Sequence, residues 1–521
     1  QRSTIIDGQQ RITTFTLILI YMLKKFGNIN QFPHSDIEKA IYSDDFGTPR
    51  FNLDIDQRRE CMLSLFKNGY YQPTEKDEHY VKNIVDRYND IADCWNENIN
   101  EDNVVNFAYW LKEKVVFSKV WTNSDEFAYV IFETMNDRGL SLTQVEMLRS
   151  YLLANLNKDK REEGVELFDN VIQRLVGIKL NSKSKAEFEF FKMYFRGHYA
   201  ENLSQTKEVN SDFVRIGKEF HRWFRDNDKS LLNLKTEDDY FKFLKKIDYF
   251  SKQYKIVNDL IVERNTKDYL YLIINNDYGF TLQPALILAS INYQDDDATV
   301  KEKIKIISKY LTKVLTWRVW NHWMISQSSM EASIYTLCKK IRDLKISDLE
   351  KILDSEPIEL PKLETSPTLN QQNKPKIKVI LSLITEIVSK NSGNSDYMLN
   401  KPDIEVEHIW SDHYEDHLDE FNDKTEFNSY RNNIGDLLVL PKSFNASYGD
   451  SPYEVKVKQY FEQNILAQSL NENKYKNNPL FIKFYKNNSL NFKPYKTFNK
   501  QSISERAELY KSILLWNWRK Q

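Results

Sequence analysis

The chain has 521 residues, room for roughly three domains at about 150 residues each. Its 73 Lys+Arg against 75 Asp+Glu leave a formal net charge of -2, which excludes a global polybasic field as the means of holding nucleic acid, so any basic surface must be local. Gly and Pro number only 13 each, far below the usual ~7% and ~5%, so long helices and few tight turns are expected. The three scattered cysteines, Cys61, Cys94 and Cys338, form no CxxC pair and suit a reducing cytoplasm. The longest apolar run, Phe15 to Leu23, falls far short of the roughly 20 residues of a spanning helix, and no signal peptide precedes it. The chain opens on Gln rather than Met, so its natural N-terminus is expected upstream.

The stretch TIIDGQQRITTFTLILIYML, Thr4 to Leu23, places a polar run between two apolar segments. A short β-branched strand, a turn and a helix ending near Gly27 are expected, with the helix N-terminus close to Gln10 and Arg11. Gly8 permits close backbone approach and Arg11 offers a fixed-charge fork suited to phosphate oxygens. Asp7 could hold a metal or orient water, while Gln9 and Gln10 can donate to phosphate or base. A second run, Asn136-Asp137-Arg138-Gly139, has the same chemical makeup and could close on the same ligand. The plain alternative for each is a helix cap joined to a buried Arg–Asp pair. Lys114 to Trp121 reads as a strand, and Ser124 to Met135 and Leu142 to Leu156 as helices.

From about Lys160 to Ser355 the pattern is helix after helix, a scaffold without a chemical motif. EPIELPKLETSPTLNQQNKP is the linker candidate, followed by a helix over Ile377 to Ser389.

The segments DIEVEHIWSDH (Asp403 to His413) and NNIGDLLVLPKSFNASYGDSPYEVKVKQY (Asn432 to Tyr460) carry the densest chemistry. Ile404 to Ile409 alternates like a strand that delivers Glu407 and His408 at its end, and Gly435 to Leu440 reads as a second strand. Ser451 to Glu454 has the form of a capping box with Pro at the first helical position. Strand, strand, helix is the frame of a ββα-metal nuclease. Phosphodiester hydrolysis needs a base for water and a cation for the phosphate, and His408 would be that base. Glu407 and Asn445 would supply oxygens to a hard cation such as Mg²⁺. His408 resembles the first His of the HNH nucleases, Glu407 their acidic metal ligand, and Asn445 their final metal-site residue. Where those sequences carry an Asn that pins the catalytic loop, this chain has Asp436, which can accept backbone hydrogen bonds but cannot donate one. Asp436 is therefore grouped with His408 in the catalytic set, with Asn432 and Asn433 as substitutes for the pinning role. His413 and His417, four apart, invite a zinc reading but are expected to face solvent.

Lys474 to Lys500 interleaves lysines with Tyr and Phe and contains no acidic residue. It reads equally as a strand-tracking nucleic-acid surface, with Lys474, Lys476, Lys483, Lys486 and Lys493 as contacts, or as a connection whose aromatics anchor it to the domain. Lys456, on the preceding helix, is a further candidate for phosphate.

IIDGQQRITT together with FETMNDRGLSLTQVEMLRSYLL resembles the paired motifs of the GmrS-type domain family, related to the ParB and sulfiredoxin folds. The EHI, GDL and FNASYGDSPYEVK segments, with the terminal ISERAELYKSILLWNW helix, resemble the GmrD-type HNH domain that often shares its chain. The resemblance implies an α+β, mostly helical protein with a ParB-like nucleotide-binding domain over 1–155, a helical scaffold over 156–370 and an HNH nuclease domain over 371–521. It implies a modification-dependent restriction enzyme that binds nucleoside triphosphate and cuts modified phage DNA with Mg²⁺ or another divalent cation. The YQR-containing segment that usually opens the family precedes none of these motifs here. That gap and Asp436 motivate a second reading, a nucleotide-dependent DNA-binding sensor that does not cleave. A toxin-like nuclease acting on RNA is a third.

Overall fold

The computed structural model describes residues 5, 8–45, 48–53, 55, 58–74, 77, 79–122, 143–180, 184–203, 211–355, 358, 365–395 and 397–519. The chain divides into two compact units, Gln1–Leu142 and Thr143–Gln521. Helices dominate both, as the low Gly and Pro content implies.

In the first unit the opening helix runs Gln9–Phe26. It starts where Gly8 adopts φ +94, a left-handed conformation that costs a residue with a Cβ, and it stops at Gly27, whose N–H donates to the Leu23 carbonyl at 3.1 Å. Leu17, Ile20 and Leu23 recur three apart and Leu19, Met22 and Phe26 three and four apart, giving one buried stripe. That stripe shares a core with Ile37, Ile41, Leu65, Val81, Val85, Val104 and Leu111 from the four helices His34–Ile41, Arg59–Asn68, His79–Asp93 and Val104–Lys114. Among the described residues of this unit, the sheet is a single hairpin, β1 Tyr42–Asp45 antiparallel to β2 Thr48–Phe51, with Tyr42 opposite Phe51. The strand expected over Lys114 to Trp121 does not form. The helix continues to Lys114, and residues 115–122 have no strand partner among the described residues, so an alternating pattern finds no ladder to join.

The second unit begins with a helix, Gln144–Ala154, announced by a reciprocal capping box between Thr143 and Glu146. Among the described residues, nine further helices lie within 158–354, and Asn157, Ser211, Thr236, Asn265, Asp296 and Ser326 cap six of them through their side chains. The helix Lys374–Asn391 follows, buried at Ile377 and from Val379 through Ser389, as a helix largely surrounded by protein must be. It lies in one continuous core with the helical region. The polar ties between the helical region and the chain that follows it are specific: Tyr397 Oη donates to Asp277 Oδ2 at 3.0 Å, Arg264 Nε donates to Asn400 Oδ1 at 2.9 Å, and Trp320 Nε1 donates to the Thr365 carbonyl at 2.8 Å.

Past that helix comes β3, Ile404–His408, antiparallel to β4, Leu437–Pro441, with Val406 opposite Val439 and His408 opposite Leu437. A short helix, Lys442–Tyr448, follows β4 and carries Asn445; sequence patterning missed it because seven residues hold too few turns to show a period. The next helix begins at Tyr453 rather than Pro452. Pro452 is its N-cap, and Ser451 makes no capping hydrogen bond, so the expected capping box is not realised. The terminal helix, Lys500–Trp518, backs the ribbon through a 3-10 turn, Ile434–Asp436. There Gly435 is indispensable: a Cβ would run into the Ile503 carbonyl and come within 2.9 Å of the Ala507 nitrogen, both fixed backbone of that helix. We expect Gly435→Ala to destabilise the second unit by about 1–3 kcal/mol, the scale of forced overpacking. Denaturant unfolding measures this, and an unchanged midpoint would contradict the close approach.

Candidate active site

β3 ends in the Glu407-His408 pair, and three elements converge on it. The first is the 3-10 turn before β4. Asp436 accepts twice at the point where the chain leaves β3, its carbonyl from the Ile409 N–H at 2.8 Å and its Oδ1 from the Trp410 N–H at 3.1 Å. Asp436 is fully buried, its Oδ2 has no hydrogen-bond partner among the described residues, and burial pushes its carboxyl pKa well up. It therefore pins the loop after His408, the task assigned to an Asn at this place, by acceptance alone.

The second is the segment Asn432–Ile434. Asn432 Nδ2 donates to the Asn428 carbonyl at 2.9 Å, which turns its Oδ1 toward His408 Nε2 at 3.2 Å. Nε2 is then the protonated ring nitrogen, and the lone pair lies on Nδ1. The expected linker holds this segment in place: the Leu369 N–H donates to the Asn432 carbonyl at 2.7 Å, and the Ile434 N–H to the Pro367 carbonyl at 2.9 Å. Burial first, then the neighbouring Arg431, drives the His408 pKa down to about 4, so the imidazole is neutral at physiological pH.

The third is the helix Tyr453–Gln459. Lys456, expected to reach phosphate, is 0% exposed; its Nζ donates to Glu407 Oε1 and to the His408 carbonyl, each at 2.9 Å. That assignment is corrected: an ammonium with no solvent access and two internal acceptors cannot track a DNA backbone. Glu407 itself is 2% exposed, and desolvation raises its pKa against the opposing pull of Lys456.

Asn445 is half-buried and places its Nδ2 3.5 Å from the Val406 carbonyl, which brings its amide to the β3 residue beside Glu407. Glu407 and Asn445 carry hard-oxygen donors of the types a small divalent cation accepts. Among the described residues, no group of three or more His, Cys, Asp or Glu side chains gathers around a point, which leaves the zinc reading of His413 and His417 without support. His413 is exposed. His417 is not: it packs 4.4 Å from the Trp410 ring, with Nδ1 3.3 Å from Glu420 Oε1, because Trp410 and Phe427 build an aromatic cluster around it.

Lys474 to Lys500 anchors by its aromatics. Phe481, Phe484, Phe492, Tyr495 and Phe498 are buried, so they offer no faces for bases to stack on. Lys474 is buried too, donating to Gln468 and Asn478, and leaves the set of surface contacts. Lys476, Lys483, Lys486 and Lys493 are exposed, with Lys476 paired to Glu472 and Lys493 to Glu505. Arg431 was missed by sequence reasoning. Its Nε donates to the Ser411 carbonyl at 3.3 Å, and its charge acts on His408, Glu407 and Asp436. Only its position beside Asn432 hinted at it.

In the first unit, Gln9, Gln10 and Arg11 form the exposed first turn of the opening helix, directly after the left-handed Gly8. Among the described residues, no acidic side chain lies in that first turn. Arg58, absent from the sequence reading, lies against this helix with Nη1 3.0 Å from Thr13 Oγ1. The cleft of about 200 Å³ in this unit, lined by Phe15, Leu19, Ile37 and Leu111, is largely apolar, and its Lys112 is held by Asp36 at 2.7 Å. Asp7 and the run Asn136, Asp137, Arg138 and Gly139 lie outside the described residues, as does the helix expected over Ser124 to Met135.

No helix among the described residues is long and apolar enough to cross a membrane. No curated protein matches the chain. Residues 1–153 match the family described as GmrSD restriction endonuclease, N-terminal domain, and residues 359–512 match GmrSD restriction endonucleases, C-terminal domain. The β3–β4 site and the left-handed Gly8 entry to the first helix each fall inside one of these matches, and the chain belongs to the GmrSD restriction endonuclease family, whose substrate is DNA.

Proposed function

We propose that the protein is a nucleotide-regulated, metal-dependent endonuclease of the HNH type that cuts modified foreign DNA, such as that of a phage. The observation that carries the nuclease reading is His408, held neutral at a strand end with Nε2 engaged by Asn432 and Nδ1 carrying the lone pair. A base in this state can take a proton from water attacking a phosphodiester. Mg²⁺ bound by Glu407 and Asn445 would supply charge stabilisation at the phosphate. Arg431 adds a fixed positive charge close to the base, and exposed Lys483 and Lys486 are available to the DNA backbone. Asp436 is a positioning residue in this scheme, since its carboxyl is buried behind the catalytic loop.

The nucleotide part of the proposal rests on the first turn of the opening helix. Backbone N–H groups, Gln9, Gln10 and Arg11 there have the donor character that triphosphate oxygens need, with Gly8 giving close access. One observation favours the non-cleaving sensor: the Glu407 charge is already balanced by Lys456. Mg²⁺-dependent cutting by the purified protein decides against that reading.

The deciding experiment is a cleavage assay on modified and unmodified phage DNA, with and without Mg²⁺ and each nucleoside triphosphate. We expect His408→Ala to lower cutting by at least about 10²-fold, the scale of a lost general base, without change in the far-UV spectrum; undiminished cutting would sink the nuclease reading. Arg11→Ala should weaken nucleotide binding, measured by fluorescence titration, by about tenfold, while leaving nucleotide-independent cutting intact. Since only neutral imidazole accepts a proton, cutting should be flat from about pH 6 to 8 and fall only toward pH 4. The same depressed value gives the stability sign. The unfolded chain takes the proton first as pH falls below 6.5, so the site loses stability between pH 6.5 and about 4 and keeps it above. A rate limb centred near 6.5 would contradict a buried base.

A further inference from the structure

We propose that Lys456 is a positioning residue of the nuclease site, an internal cation that ties Glu407 Oε1 to the His408 carbonyl and leaves Oε2 as the one carboxylate oxygen offered to a metal. The inference rests on the nuclease reading above and concerns how this chain prepares its own donor.

The geometry is explicit. Lys456 comes from the helix Tyr453–Gln459, 49 residues beyond Glu407, and its ammonium lies 2.9 Å from both acceptors with 0% exposure. The helix that carries the lysine is itself anchored: Tyr453, one turn earlier, is buried, and its hydroxyl donates to the Tyr495 carbonyl at 2.8 Å. Glu407 Oε2 has no hydrogen bond among the described residues. A carboxylate with one oxygen held by a fixed ammonium is kept from swinging, and its other oxygen carries no competing hydrogen bond. The same ammonium holds the backbone carbonyl of His408, so donor and base are set by one group. Residues that hold a metal ligand in this way typically change affinity or activity by about 10–100-fold when removed.

The charge argument sets the direction. Lys456 lies where a second cation would be repelled, so it weakens metal binding while improving the geometry of what binds. Lys456→Met should therefore bind Mn²⁺ about tenfold more tightly, measured by calorimetry without DNA, and yet turn over at least about tenfold more slowly at saturating Mn²⁺, with the KM for DNA unchanged. The double variant Glu407→Gln/Lys456→Met, which removes both charges, should fold and lose the Mn²⁺ heat. Should Lys456→Met melt too readily for calorimetry, the same question is read from melting. A Mn²⁺-induced rise in Tm larger than in the native protein supports the cradle, and an equal or smaller rise overturns it. Unchanged or weaker Mn²⁺ binding in a folded Lys456→Met protein also overturns it, as does a raised KM with unchanged kcat, which would make Lys456 a DNA contact. The Mn²⁺ titration needs no DNA, so it judges the cradle even if the native protein cuts nothing, the outcome that would defeat the nuclease reading itself.

Discussion

A lysine ammonium shut off from water beside a carboxylate that is itself 2% exposed is costly to build, since both ions are desolvated and their attraction recovers that loss only when the geometry is good. Removing one member of such a pair leaves an unbalanced buried charge, at a cost of about 3–5 kcal/mol. The Glu407–Lys456 pair therefore constrains everything around it. β3 must end where Lys456 can reach the His408 carbonyl, the helix Tyr453–Gln459 must pack against that strand end, and the loop after β4 must be long enough to bring it there. A hydrophobic pair would stabilise the fold as well, so stability alone does not account for two charges here.

Around that pair the structure builds rigidity in layers. Asp436 and Asn432 hold the two sides of His408, one through the loop that follows it and the other through its ring. Behind Asp436, the terminal helix closes in until only Gly435 fits, and its Tyr510 hydroxyl donates to the Leu437 carbonyl at 3.1 Å. Asn464 Nδ2 donates to the Val439 carbonyl at 2.6 Å, satisfying an acceptor on the outer edge of the ribbon. A two-stranded ribbon is marginal alone, and these side-chain bonds with the buried helix Lys374–Asn391 supply what a wider sheet would otherwise give. The segment before that helix is part of the site, because residues 367–369 hydrogen-bond the Asn432–Ile434 backbone.

Much of the site was legible because it is local. The alternation of Ile404 and Val406 against Glu405 and Glu407 needs only the two-residue period of a strand to place an acid and an imidazole at its end. Gly8 before a polar, then apolar, helical run likewise marks a helix start from conformational preference alone. The failures are equally physical. Lys114 to Trp121 alternates as a strand does, but a strand exists only if another pairs with it, and pairing is not a property of the segment. Lys456 and Lys474 look like surface cations in any composition count, and only packing shows that their charges point inward. The aromatics among the later lysines suggested stacking platforms; they are core residues, the commoner use of Phe and Tyr.

From the amino-acid order alone come the helical character of the chain, the strand–strand frame of the C-terminal site, the Glu407-His408 pair and the first-turn donors after Gly8, all consequences of backbone preference and short-range period. The tertiary structure decided which polar groups meet. Asn432 faces His408 across 24 residues, and Lys456 reaches the His408 carbonyl across 48, separations over which no local pattern constrains direction. Burial then set the state of those groups, keeping His408 neutral and enclosing Lys456, because the cost of charge depends on the surroundings that only the folded chain creates.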